Sequence, residues 1–189
     1  MDVETLHSEL RRRKALIVHF SHKSNMRTGG VFPTDLQMAM TNKDKWPLSC
    51  CVVWPGHAME LPGDVGIIFH PTEARQIRSV SNADSGSTLL ADGQELSGGE
   101  RLTPANLEST FNVQPGEYNE WRVQDADVTG IFVTSPDTVW AKTHQVMPLD
   151  DGQLFRDIWP KPFAIDEVRA AFPGWSIFTM TASGPVKLC

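Results

Sequence analysis

Short apolar runs separated by polar turns, rather than long amphipathic stretches, set the reading of this chain. Residues 15–20 (ALIVHF) form an apolar, partly β-branched run of strand length. Residues 48–54 (LSCCVVW) and 63–70 (GDVGIIFH) read the same way, each bounded by Gly or Pro. Two more strands follow at 119–123 (NEWRV) and 128–135 (VTGIFVTS), joined by the turn QDAD, and another lies at 175–182 (WSIFTMTA). Helical spacing appears at 3–14 and at 33–42, where Thr34 is the expected N-cap and Leu36, Ala39 and Met40 share a face. It recurs at 103–111, with Thr103 as cap and Pro104 at the first position, and at 164–172. Residues 81–100 form a polar tract rich in Ser, Gly and Asp. Strands and helices mix without regular βαβ alternation. The expectation is therefore an α+β fold in a single domain over 1–189, built on a twisted mixed or antiparallel sheet.

Composition changes this picture little. The 189 residues are 40% hydrophobic and 21% charged, as expected for a globular domain with a sizeable core. No apolar run reaches the roughly 20 residues of a membrane helix, and the acidic-then-basic N-terminus has no apolar h-region. Three cysteines, two of them adjacent at Cys50 and Cys51, make a poor disulfide framework and fit a reducing cytoplasm. The net charge of −6 is uneven, at +3 over residues 1–45 and −9 over the remainder. The chain as a whole is no basic nucleic-acid coat. A local patch from Arg11, Arg12, Arg13, Lys14, Lys23, Arg27, Lys43 and Lys45 stays open beside the reading of a solvated helix face.

The polar residues that close the first strand carry the chemistry. Strand alternation places His19 and Ser21 on the face of Ile17, at the point where a loop begins. An imidazole and a hydroxyl each donate and accept hydrogen bonds, which suits a carboxamide or a ribose. The competing reading is a core histidine bonded to a backbone carbonyl. Downstream, Glu120 opens a strand after the turn made by Pro115, Gly116 and Asn119. A carboxylate there can serve as general base or stabilise a developing cation. The alternative is an exposed strand-edge glutamate paired with Arg122. Glu117, three residues earlier, reads as solvated. Ser85, Ser87 and Thr88 are candidates for phosphate or ribose contacts or for turns. No dinucleotide fingerprint, P-loop or zinc-protease motif is present.

The motif His19-Phe20-Ser21-His22-Lys23-Ser24-Asn25-Met26 resembles the His-x-[Ser/Thr]-His-x-x-Asn-Leu signature of DarT-type ADP-ribosyltransferases, bacterial toxins that modify DNA bases with NAD⁺. The strand opened by Glu120, the turn QDAD and the strand after it are similar to that family's distal block. The resemblance implies an ADP-ribosyltransferase-like fold around an NAD-binding cleft. It implies that Glu120 is catalytic, and that His19, Ser21, His22, Asn25 and Arg27 bind NAD, with Arg75 and Arg78 as other candidates for the arginine. NAD would be a co-substrate and no metal would be needed. Acceptors implied are a nucleic-acid base, single-stranded DNA among them, or a protein side chain. A cytoplasmic toxin or phage-defence effector of this kind would have a neutralising antitoxin and no membrane partner. Two other classes remain beside it: a thiol hydrolase using Cys50 or Cys51 with His57 or His70, and a non-catalytic binding or immunity protein.

Overall fold

The structure is a computed structural model that describes residues 1–23, 30–86, 88–89, 95–96 and 98–188. Its elements, in chain order, are α1 (Val3–Arg13), β1 (Leu16–Ser21), α2 (Thr34–Asn42), β2 (Leu48–Val53), β3 (Val65–His70), β4 (Ile77–Ser81), β5 (Thr88–Leu89), β6 (Glu95–Leu96), α3 (Pro104–Ser109), β7 (Glu120–Val123), β8 (Asp127–Val133), β9 (Thr138–Pro148), β10 (Leu154–Ala164), α4 (Ile165–Ala171), β11 (Ile177–Thr181) and β12 (Gly184–Lys187). This is an α+β fold with a mixed sheet and few helices. Among the described residues no helix is long and apolar enough to cross a membrane.

Local chemistry sets the helix ends. The Asp2 side chain accepts from Thr5 N at 2.7 Å and starts α1, whose Leu6 and Leu10 are buried one turn apart. Lys14 ends the helix in the left-handed region at φ 54°. Thr103 caps α3 as expected, accepting from Asn106 N, with Pro104 at the first position. The expected Thr34 cap is not made. Thr34 is the first helical residue, Pro33 stands at the cap without a side-chain bond, and Asp35 accepts from Leu36 N at 2.8 Å instead.

Eight strands form the main sheet in the order β12-β11-β8-β3-β1-β2-β7-β4. Every neighbour pair is antiparallel except β8 with β11. Alternation divides the apolar residues into two clusters. Ile17, Cys50, Val52, Ile67, Trp121 and Val123 join the larger one, which α1, α2, α3 and α4 help to build. Val18, Phe20, Cys51, Val53, Ile68 and Phe132 join the smaller one. Burying each large aliphatic or aromatic side chain of these clusters contributes about 1.5–3 kcal/mol.

Two features escape the hydrophobic pattern. Strands β9 and β10, eleven residues each, make a hairpin in a sheet of their own, where sequence reading assigned nothing. Prolines 148, 160 and 162 lie within these strands, a residue type that a sheet interior disfavours. Yet Pro160 and Pro162 stand opposite Lys142 and Trp140, whose outward backbone groups bond Phe32 N and Asp64 Oδ2. The missing N–H groups therefore face away from β9 and cost the ladder nothing. Second, β3 and β8 lose register between Ile68 and Phe69, which leaves Thr129 as a bulge between Val128 and Gly130.

Candidate functional site: where β1 and β2 part

Strand β1 runs one residue further than its apolar run suggests, through Ser21, and stays paired with β3 to its end. Its other side behaves differently. Leu16, Ile17 and Val18 pair with Val53, Val52 and Cys51, and there the β1–β2 ladder stops. From Cys50 back to Leu48, β2 pairs on its far side with Trp121, Arg122 and Val123 of β7. The two strands thus part at Val18 and Cys51.

Side chains satisfy the backbone that the parting exposes. His19 Nδ1 lies 2.7 Å from Ser49 O and, facing a carbonyl, must donate. That bond fixes the tautomer and leaves Nε2 as an acceptor in the neutral ring. Burial lowers the His19 pKa, against smaller opposing effects of the Ser49 bond and the Asp35 carboxylate, so the ring is neutral at pH 7. On the far side of β2, the wholly buried Asn119 takes the place of a strand. Its Oδ1 accepts from Val52 N at 2.7 Å, and its Nδ2 donates to Val52 O at 3.1 Å and Thr110 O at 3.0 Å. Sequence reading gave Asn119 only a turn.

Glu120 follows directly. It is 5% exposed and lies on an inner strand flanked by β2 and β4, so the strand-edge reading is corrected. Glu120 Oε2 accepts from Ser85 N at 2.9 Å and from the Ser85 hydroxyl, and Arg122 Nη1 stands 3.7 Å from Oε1. Ser85 thus holds the carboxylate. Next to it, Tyr118 donates to Asp84 Oδ2 at 2.8 Å, and the Tyr118 pKa is pushed up by burial and by that carboxylate. Glu117 is exposed, as expected, and its carbonyl accepts from Glu60 N at 3.1 Å.

The remaining expected residues divide. Ser21 is buried and donates to Asp35 Oδ2 at 2.6 Å, which ties the end of β1 to the first turn of α2. His22 is exposed; desolvation first, and the Lys142 ammonium second, lower its pKa. Lys142, only 1% exposed on β9, is a cation near the motif that no sequence pattern marked. Asn25 and Arg27 lie outside the described residues. Arg75 pairs with Glu73, and Arg78 donates to Gln124 Oε1 at 2.7 Å, both away from β1. His19 and Glu120 do not touch. Alternation sends His19 out on the side of Ile17 and Glu120 out on the side opposite Trp121, with β2 between their strands. A cavity of about 550 Å³, walled by Trp54, Met59, Phe132 and Met180, includes neither of them.

The cysteines lie in the core. Cys50 and Cys51 are 1% and 2% exposed and belong to opposite clusters. Burial pushes both thiols well up, and the nearby Glu120 carboxylate adds to the effect. A thiol held neutral and out of water is a poor nucleophile. Among the described residues no group of three or more His, Cys, Asp or Glu converges on a metal-sized site.

No family model, no curated protein and no solved structure matches the chain.

Proposed function

We propose that the chain is a NAD-dependent mono-ADP-ribosyltransferase with an ADP-ribosyltransferase-like fold, acting as a cytoplasmic toxin or defence effector. One observation carries the reading. Two motifs a hundred residues apart in sequence come to the same three-residue stretch of β2. His19 bonds Ser49 across the parting, and β7, opened by Glu120, pairs with Leu48 to Cys50 on the other side. A NAD⁺ molecule that meets both would enter through the parting rather than lie on one face of the sheet. His19 Nε2 would accept from a ribose hydroxyl or the carboxamide, and Lys142 would face the pyrophosphate. As the nicotinamide–ribose bond breaks, the pair of electrons leaves with nicotinamide and the ribose becomes oxocarbenium-like. Glu120 would stabilise that cation and take the proton from the acceptor as it attacks.

The acceptor is a nucleic-acid base in the first instance, as the resemblance implies. A protein side chain is the second reading, and an observation favours it. Much of the basic patch is neutralised: Arg12 pairs with Glu9 at 2.6 Å, Arg13 with Glu108, Lys23 with Asp64 at 3.1 Å and Lys43 with Asp125 at 3.5 Å. Incubation with labelled NAD⁺ and separate pools of single-stranded DNA, RNA and protein tests both readings. Label in the DNA pool supports the first and label in the protein pool the second. No label in any pool, with no nicotinamide released, removes the transferase.

A further inference from the structure

The N-terminal end of β1, remote from the parting, borders a second cavity of about 410 Å³. Its walls are the last turns of α1, the start of β1, the end of β3, the β8 bulge and β12. Ile17 and Phe69 give it an apolar floor, and both are buried. Its rim is cationic. Arg11 and Lys14 reach it from the end of α1, and the His7 and His70 rings stack beside it at 4.4 Å and 19°.

The basic run of α1 is therefore sorted by direction. Arg12 and Arg13 turn to Glu9 and Glu108, and Arg13 also lies 4.0 Å over the Phe111 ring. Arg11 has no carboxylate at ion-pairing distance among the described residues. Lys14 donates one hydrogen bond to Ser183 O at 2.8 Å, which steadies its ammonium at the rim. No Asp or Glu lines the cavity. His7 Nε2 is fixed on Pro71 O at 2.7 Å, so the stacked pair is held in place. Thr129, the bulged residue, adds a hydroxyl, and bulges of this kind re-aim single side chains into sites.

We infer that this cavity is a binding site for a small organic anion with an apolar body. The volume falls within the about 300–1,000 Å³ of ligand pockets. An apolar floor beneath a rim of like charges rewards a ligand that is apolar at one end and anionic at the other. A carboxylate and a phosphate monoester both satisfy that chemistry.

Calorimetric titration tests it with three probes of one shape: 2-naphthoate, 2-naphthyl phosphate and the uncharged 2-naphthalenemethanol. At least one anion should saturate a single site, with the alcohol about tenfold weaker or worse. The tighter anion identifies the headgroup as carboxylate or phosphate. Arg11→Glu, at an exposed position, should weaken the anion about tenfold or more. Thr129→Trp should fill the cavity and abolish binding, with circular dichroism confirming that both variants fold. Binding of the alcohol as tight as that of the anions would overturn the inference. So would affinity unchanged in both variants, or no saturable binding of either anion at millimolar concentration. None of these readouts depends on transferase activity.

Discussion

The two ends of β1 solve opposite problems. At Ile17 and Val18 the strand is paired on both sides and its neighbours are apolar, so backbone bonds are made by backbone and side chains only fill space. At His19 to Ser21 one side has lost its partner: the His19 ring takes up Ser49 O in place of the ladder, and Ser21 ties the strand end to Asp35. Across β2, Asn119 repeats the device for Val52. Buried backbone groups must find partners, so a sheet that opens must spend polar residues to remain folded. Those residues then stand, fixed and partly desolvated, at the opening. An opening made in this way is both a structural cost and a ready site for chemistry.

If the opening is catalytic, the largest effect will come from Glu120. Glu120→Gln keeps the shape and can still bond Ser85, but it removes the charge and the proton-accepting lone pair. Transfer should fall about 10²–10⁴-fold with the thermal midpoint little changed. Glu117→Gln, on the exposed loop, should be milder and alter acceptor choice. Label-transfer rates for both variants decide it, and an essential Glu117 beside a dispensable Glu120 would place the chemistry on the loop instead.

Asn119 tests the structural half of the comparison. Asn119→Ala strands Val52 N, Val52 O and Thr110 O in a buried site. Unpaired buried groups cost about 1–3 kcal/mol each, less whatever water can enter to repair. The expected loss is about 3 kcal/mol in urea unfolding. A loss below about 1 kcal/mol would mean that the unpaired side of β2 at Val52 needs no such support.

The apolar strands were legible because alternation fixes what faces the core. His19 and Glu120 drew notice as an imidazole closing an apolar run and a carboxylate opening a strand, but their bonds to Ser49 and Ser85 could not be read from that. Asn119 was not, because an asparagine before a strand is read as turn chemistry, and its real role depends on a strand 67 positions away. The β9–β10 hairpin was missed because Pro160 and Pro162 are breakers unless their outward orientation is known, and orientation depends on pairing. Lys142 was hidden by the same error. Ser85 was read as a donor to phosphate or to a turn, and its actual partner is Glu120. In each case the unread information lies in which strand pairs with which, and local pattern does not carry it.

His19 sits on both sides of the comparison, as backbone partner and as ligand contact. His19→Ala should weaken NAD⁺ binding by about 0.5–1.5 kcal/mol and more than His22→Ala does, because His22 has left the strand. Equal affinities by calorimetry would leave His19 a purely structural residue. Its titration gives a second handle. The folded-state pKa is lowered, so below about pH 6.5 the unfolded chain takes up the proton first. Stability should be full above that pH and fall as pH drops below it. The lowered pKa values of His22, His57 and His70 act in the same direction. His19→Gln keeps an N–H for Ser49 without titrating, and should flatten the fall only in part.

The smallest effect on activity should come from Cys50 and Cys51, although they stand at the parting itself. Each thiol is packed in a different apolar cluster and raised in pKa first by burial. The only side-chain hydrogen bond described for either is from Cys50 Sγ to Leu48 O at 3.6 Å, on its own strand. Neither is positioned to meet a ligand as a thiolate. Replacing both with Ala removes two buried sulfur atoms, so stability should drop by about 1–2 kcal/mol through lost packing. The transfer rate at a temperature well below the midpoint should stay within about twofold of the unmodified chain. Iodoacetamide should likewise fail to inactivate the native protein while labelling it readily in urea. A folded double variant without activity, or rapid inactivation by iodoacetamide under native conditions, would move the chemistry from Glu120 to the thiols.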